Sequence, residues 1–141
     1  MTEAVIVDLD GTLCDTSGIA HHVEGDEKDF WAFHQASADA PVNAEVADAV
    51  RGAHEAGRAV LVVTSREFVW RDLTLDWLVK HDVPYDQLLM RVVADYRPDV
   101  KVKADILDGI EADGFTVVEA WEDTDDVAEL WSSRGIEVHR V

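Results

Sequence analysis

At 141 residues, 48% of them hydrophobic and 30% charged, the chain is long enough for one domain with a real core and too short for two ordinary ones. Lys and Arg number 12 against 30 Asp and Glu, a formal charge of -18 that repels polyanions and membrane surfaces at long range. The single cysteine, Cys14, excludes a disulfide within the chain and a CxxC site, and no apolar run approaches the roughly 20 residues of a membrane span. With an opening strand in place of a basic, cleavable leader, the composition predicts a cytoplasmic protein.

In chain order, Val5-Ile6-Val7 reads as a β-branched strand that runs into Asp8-Leu9-Asp10-Gly11-Thr12-Leu13. Residues i and i+2 of an extended segment share a face, so Asp8 and Asp10 address one small site at the strand's carboxyl end. A solvated Asp-Gly turn is the plain alternative; open α/β sheets, however, place metals and phosphates at such strand ends. Nearby carboxylates raise the pKa of Cys14, which points to packing and away from a nucleophile.

Residues 15–42 show no long period. They hold the pair His21-His22 and one short predicted helix, Glu27 to His34, with Phe30, Phe33 and His34 on one face. The two histidines lack a third ligand at suitable spacing and read as solvent-facing. A helix follows from Ala44 with Asn43 as N-cap, and Gly57 stops it. Ala59 to Val63 is continuously apolar, the mark of a strand buried on both faces, and ends in Thr64-Ser65-Arg66. Further predicted elements are a helix over about 70–81, a strand over 88–93, a helix over 103–113, a strand over 115–120, a helix over 125–133 and a strand over 136–141. Helix, glycine and strand recur in that order at Gly57, Gly114 and Gly135, which predicts an α/β fold with a parallel sheet and crossover helices.

The stretch Asp8-Leu9-Asp10-Gly11-Thr12-Leu13 resembles the first motif of the haloacid-dehalogenase-like (HAD) phosphatase superfamily. The resemblance implies a three-layer Rossmann-like sheet in a single domain over residues 1–141, with only a small cap or flap inserted at about 15–42. It implies Asp8 as the nucleophile and Asp10 as the acid and base; Asp at the latter position marks the phosphatases, not the dehalogenases. Val62 to Arg66 resembles the second motif, giving Thr64 a hydrogen bond to the phosphoryl group. Val102 to Leu107 resembles the third, whose lysine opens a helix, and Lys103 fits better than Lys101 because it starts the periodicity of Ile106, Leu107 and Ile110. Val118 to Asp123 resembles the fourth, in which Asp123, supported by Glu122, completes an Mg2+ site with Asp8 and the Asp10 carbonyl. The implied reaction is phosphomonoester hydrolysis through an aspartyl-phosphate.

Val63-Thr64-Ser65-Arg66-Glu67, together with Val127 to Trp131 and Gly135 to Val138, is similar to the phosphatase domain of phage polynucleotide kinase-phosphatases. That similarity implies a polynucleotide 3′-phosphatase with Arg66 and Ser65 at the phosphate. Ser65 stands where that group has Gly, Thr124 where it has Arg, and no GxxxxGK[ST] loop occurs in the chain. Arg66, Arg71, Arg91 and Arg97 are expected to reach one sheet edge and supply local cations. Two alternatives stand beside this reading. One is a small-molecule phosphatase such as a nucleotidase, with the aromatic insertion as a lid and Trp31 open to stacking. The other is an inactive phosphate- or nucleotide-binding module, against which the intact set Asp8, Asp10, Thr64, Lys103 and Asp123 argues.

Overall fold

Alternation along the first strand decides the layering. In the computed structural model, which describes residues 2–141, β1 spans Thr2–Val7; Val5 and Val7 belong to the core on one sheet face, Ala4 and Ile6 to that on the other, and none of the four is exposed. A strand apolar on both faces needs cover on both, which is the condition for a central parallel strand.

The cover comes from four helices. The first face packs against α2 (Ala44–Glu55) through Val46, Ala47 and Val50, and against α3 (Arg71–Lys80) through Trp77 and Leu78. The second packs against α4 (Asp99–Ala112) through Leu107 and Ile110, and against α5 (Asp125–Ser133) through Val127 and Trp131. Fully buried side chains such as Ile6, Leu61 and Leu107 each stabilise the fold by roughly 1.5–3 kcal/mol. The remaining strands are β2 (Ala59–Glu67), β3 (Gln87–Arg91), β4 (Phe115–Glu122) and β5 (Glu137–Arg140). All pairs are parallel, in the order β3-β2-β1-β4-β5. The order reverses at β1, so the carboxyl ends of β1, β2 and β4 open on the crevice where ligands of such sheets sit.

The predicted α/β architecture is therefore the observed one, with adjusted boundaries. The short helix of the insertion is α1, Phe30–Ala36, begun by Asp29, whose carboxylate accepts the Ala32 N–H at 2.9 Å. The strand predicted to reach Val93 stops at Arg91, and the chain then turns through Ala94 at φ 68°. The larger difference is at α4, which begins four residues before Lys103. Pro98 precedes its first turn with φ -54°, a value proline brings ready-made for a helix start. Lys103 therefore lies just past the first turn and does not open the helix.

Candidate active site

Three local devices at the strand ends aim the polar side chains. After β1, Gly11 takes φ +81°, and a Cβ there would lie 2.2 Å from Asp123 Oδ2. Only glycine meets both demands without displacing Asp123. At the end of β2 the pairing steps from Val63↔Leu89 to Glu67↔Arg91, so four residues advance on β2 against two on β3. That irregularity carries Thr64, Ser65 and Arg66 out of plain ladder register and into the crevice wall. At the end of β4, the Asp123 main chain is held by Arg140, whose Nη2 donates to its carbonyl at 3.0 Å.

Lys103 is the hub. Its Nζ donates to Asp8 Oδ1 at 2.9 Å and to Glu122 Oε1 at 3.0 Å, and the three residues are 3%, 6% and 0% exposed respectively. Burial alone would lower the ammonium pKa, but Asp8 and Glu122 outweigh it and hold Lys103 above the ordinary lysine range. Burial pushes Asp8 up to about 6, against the pull of Lys103 and with a further rise from Asp123. Glu122 spends its second oxygen on the Thr124 N–H at 3.2 Å, so both of its oxygens are engaged.

Carboxylate oxygens of Asp8, Glu122 and Asp123 lie within 4.8 Å of one another. The donors are all hard oxygens, of which Asp8 lines the cleft while the buried Glu122 has both oxygens engaged; the Asp8 and Asp123 carboxylates fit Mg2+. Asp10 is not in that carboxylate group. Its oxygens are gripped by Arg66, Nη2 to Oδ1 at 2.6 Å and Nε to Oδ2 at 2.9 Å, a two-point fork that fixes orientation.

The structure brings Asp8, Asp10, Thr64, Ser65, Arg66 and Lys103 to the wall of one cleft of about 750 Å³. Thr64 Oγ1 accepts the Arg66 main-chain N–H at 3.2 Å, leaving its own proton for a partner in the cleft. Ser65 Oγ is buried with no hydrogen-bond partner.

Three of the four expected arginines, Arg66, Arg91 and Arg97, do line the cleft, but each is bonded within the protein. Arg66 is 2% exposed and holds Asp10 and Thr74. Arg91 donates to the carbonyls of Ser65, Asp95 and Arg97 and pairs with Asp99. Arg97 pairs with Asp95 and Asp105, drawing Asp95 down to about 2. The reason is local: an acid-rich chain places a carboxylate or an open carbonyl beside nearly every guanidinium. Arg71 has only a loose contact with Asp72 at 3.9 Å.

Cys14 is fully buried and its thiol is pushed up to about 12 by burial and then by Asp10, as expected of a packing residue. Among the described residues, His21 and His22 join no potential metal cluster. Two participants escaped the sequence reading. Thr12 Oγ1 lies 3.1 Å from Asp8 Oδ2 and 3.0 Å from Asp123 Oδ1, and its one proton serves either carboxylate in turn. Its place inside the Asp-rich turn was the available signal. Thr74 accepts from Arg66 Nη1 at 2.9 Å and donates to the Trp70 carbonyl at 2.8 Å; nothing in the apolar spacing of α3 distinguishes it.

Comparison with known proteins agrees with this geometry. The family model described as the polynucleotide kinase PNKP phosphatase domain matches residues 2–141. A chain in the structure of a Pnkp1/Rnl/Hen1 RNA repair complex superposes with a TM-score of 0.85 and 27% identity, over 99% of this chain and 42% of that one. A second Pnkp1/Rnl/Hen1 structure gives 0.84 and 26%, over 100% of this chain and 46% of that one. The present chain thus spans less than half the length of these relatives. The class C acid phosphatase of Bacillus anthracis shares the fold at a TM-score of 0.69 and 14% identity, over 95% of this chain and 62% of that one. No curated protein sequence matches the chain.

Proposed function

The chain belongs to the family of polynucleotide kinase PNKP phosphatase domains and is a phosphatase of the HAD type, and from that premise we propose that it is a magnesium-dependent phosphomonoesterase that removes 3′-terminal phosphates from nucleic acids in the cytoplasm. The observation that supports the chemistry is the buried row Asp8, Lys103 and Glu122, with Asp123 alongside, at the carboxyl ends of the central strands. Similarity to a chain from an RNA repair complex supports a nucleic-acid end as the substrate. The phosphatase class sets aside the inactive binding module.

In the first step an Asp8 oxygen forms a bond to phosphorus while the bond from phosphorus to the ester oxygen breaks, and Asp10 gives its proton to the departing alkoxide. In the second, Asp10 takes a proton from water, the water oxygen bonds to phosphorus, and the bond from Asp8 to phosphorus breaks. Inorganic phosphate leaves and Asp8 is a carboxylate again. Lys103 and the Thr64 hydroxyl stabilise charge on the non-bridging oxygens, with Ser65 and Arg66 on the same wall. Asp8, Asp123 and the Asp10 main-chain carbonyl would hold magnesium, which supplies Lewis-acid stabilisation when bound. Glu122, both oxygens engaged, supports that site by holding Lys103 in place.

A phosphate-release panel tests the reading, comparing a 3′-phosphorylated oligonucleotide, a 5′-phosphorylated one, nucleoside monophosphates and p-nitrophenyl phosphate, each with magnesium and with a chelator. The expected result is highest kcat/KM on the 3′-phosphorylated oligonucleotide and none with the chelator. Preference for a free monophosphate would move the assignment to a nucleotidase.

A further inference from the structure

The mouth of the cleft is aromatic where the rest of the surface is acidic. Phe30, Trp31, Val69 and Tyr96 line it and are 58%, 60%, 58% and 86% exposed, although large apolar side chains ordinarily leave water. The Trp31 ring sits 4.6 Å from that of Trp70 at a tilt of 58°, and Trp70 in turn lies 5.4 Å from His34. The Trp70 main chain is tied to the site, because its carbonyl accepts the Thr74 hydroxyl that also receives Arg66, the residue gripping Asp10. The main chain that carries Trp70 and the Asp10 carboxylate are thus joined by one short chain of hydrogen bonds.

A phosphorylated substrate must gain its binding energy beyond the phosphoryl group from something. Backbone phosphates find few unengaged cations here: Arg66, Arg91 and Arg97 line the cleft but are bonded within the protein, Arg71 alone of the four is loosely held, and the chain carries a formal charge of -18. A flat, uncharged face finds a good deal, since an exposed indole offers a stacking surface to any base. Sugar phosphates, phosphoserine and phosphothreonine have no such face. A phosphorylated nucleoside does, whether free or at a strand end.

We infer that Trp31, backed by Trp70, is a stacking subsite for the base of the phosphorylated nucleotide, so that the enzyme selects its substrate by stacking and hardly at all by neutralising backbone phosphates. The inference rests on the 3′-phosphatase reading for its location and deepens it by naming what holds the substrate.

Two oligonucleotides of equal length test it, both 3′-phosphorylated, one with an ordinary terminal base and one with an abasic terminal residue. Wild-type enzyme should favour the base-bearing end about 5- to 160-fold in kcat/KM, mostly through KM, the span of one base stacked on an aromatic side chain. Trp31→Ala should bring that ratio close to one, and Trp31→Phe should retain most of it. Raising salt from about 50 to 200 mM should change kcat/KM less than about threefold, the effect of one phosphate contact on a single strand. Equal turnover of the two ends, a ratio unchanged in Trp31→Ala, or a salt response worth several phosphate contacts would each overturn the subsite. If both oligonucleotides stay intact while nucleoside 3′-monophosphates are hydrolysed in preference to ribose phosphates, the stacking subsite stands and the polynucleotide reading falls.

Discussion

The floor of the cleft and its mouth are built on opposite terms. On the floor, Asp8, Lys103 and Glu122 are nearly or wholly withdrawn from water, and each charge touches an opposite one. At the mouth, Trp31 and Tyr96 are mostly exposed. Buried charges hold position only when paired, because an unpaired one costs several kcal/mol. The floor therefore keeps its charges paired, and the phosphoryl group proposed to meet them is one that every phosphomonoester presents alike. It sets the reaction and cannot choose the substrate; choice falls to the mouth.

That division fails if a change on the floor alters preference and not rate. Asp8→Asn should have the largest effect, a loss on the order of a thousandfold or more in kcat on every phosphomonoester, since an amide cannot form the acyl-phosphate. Substantial residual turnover by Asp8→Asn would refute the covalent route. Lys103→Ala comes next, with a drop of about a hundredfold or more in kcat, because it removes a cation aimed at developing charge and leaves Asp8 facing Glu122. The exposed neighbour is the control: Lys101→Ala should change kcat less than about twofold. Equal losses at the two lysines would place the phosphate elsewhere.

Much of the floor was legible in the sequence and little of the mouth was, for a physical reason. Asp8, Thr64 and Asp123 sit where strands end, and a strand announces itself by its apolar run. Lys103 is singled out by the resemblance of the stretch from Val102 to Leu107 to the third motif. The reason for preferring it to Lys101, that it opens the helix, fails because α4 begins at Asp99, yet Lys103 is the buried one of the two. Hydrogen-bond partners are another matter. That Arg66 grips Asp10 across 56 positions, or that Arg91 gathers three carbonyls, depends on how loops fold back, and no spacing encodes it. Arg66, Arg91 and Arg97 reach the cleft as expected, and it is their engagement with acids and carbonyls that stayed hidden for that reason. Thr74 likewise occupies a helix position where any small residue would pack.

Thr74 joins the two regions, so it tests whether the mouth braces the floor. Thr74→Val keeps the shape and removes the acceptor for Arg66 Nη1 and the donor to the Trp70 carbonyl. A buried group left without its partner costs about 1–3 kcal/mol. The expected readout is a drop of about tenfold in kcat with KM moved less, since Asp10 loses its alignment through Arg66. Thr74→Ser, which restores the hydroxyl, should recover most of it. Loss of stability with unchanged kcat would mean that the Arg66 fork orients Asp10 without help.

The smallest expected effect concerns the layer behind Trp70, where His34 lies against Phe33 and Trp70 with its Nδ1 buried and unpartnered. Burial lowers its pKa from 6.5 to about 4, with Asp10 and Glu67 opposing the shift and Arg66 adding to it. The folded protein thus keeps the ring neutral while the unfolded chain binds a proton below about pH 6.5. Unfolding takes up that proton, so His34 costs nothing at pH 7 and destabilises progressively as pH falls from about 6.5 towards 4, at no more than about 1.4 kcal/mol per pH unit. His34→Phe keeps a ring against Trp70 and removes the titration. Denaturation of both proteins across this range should show wild type losing stability relative to His34→Phe below pH 6.5, with a constant difference above it. A difference that stays flat down to pH 4 would mean that water reaches the His34 ring in solution, and that the wall behind Trp31 is looser than the floor it borders.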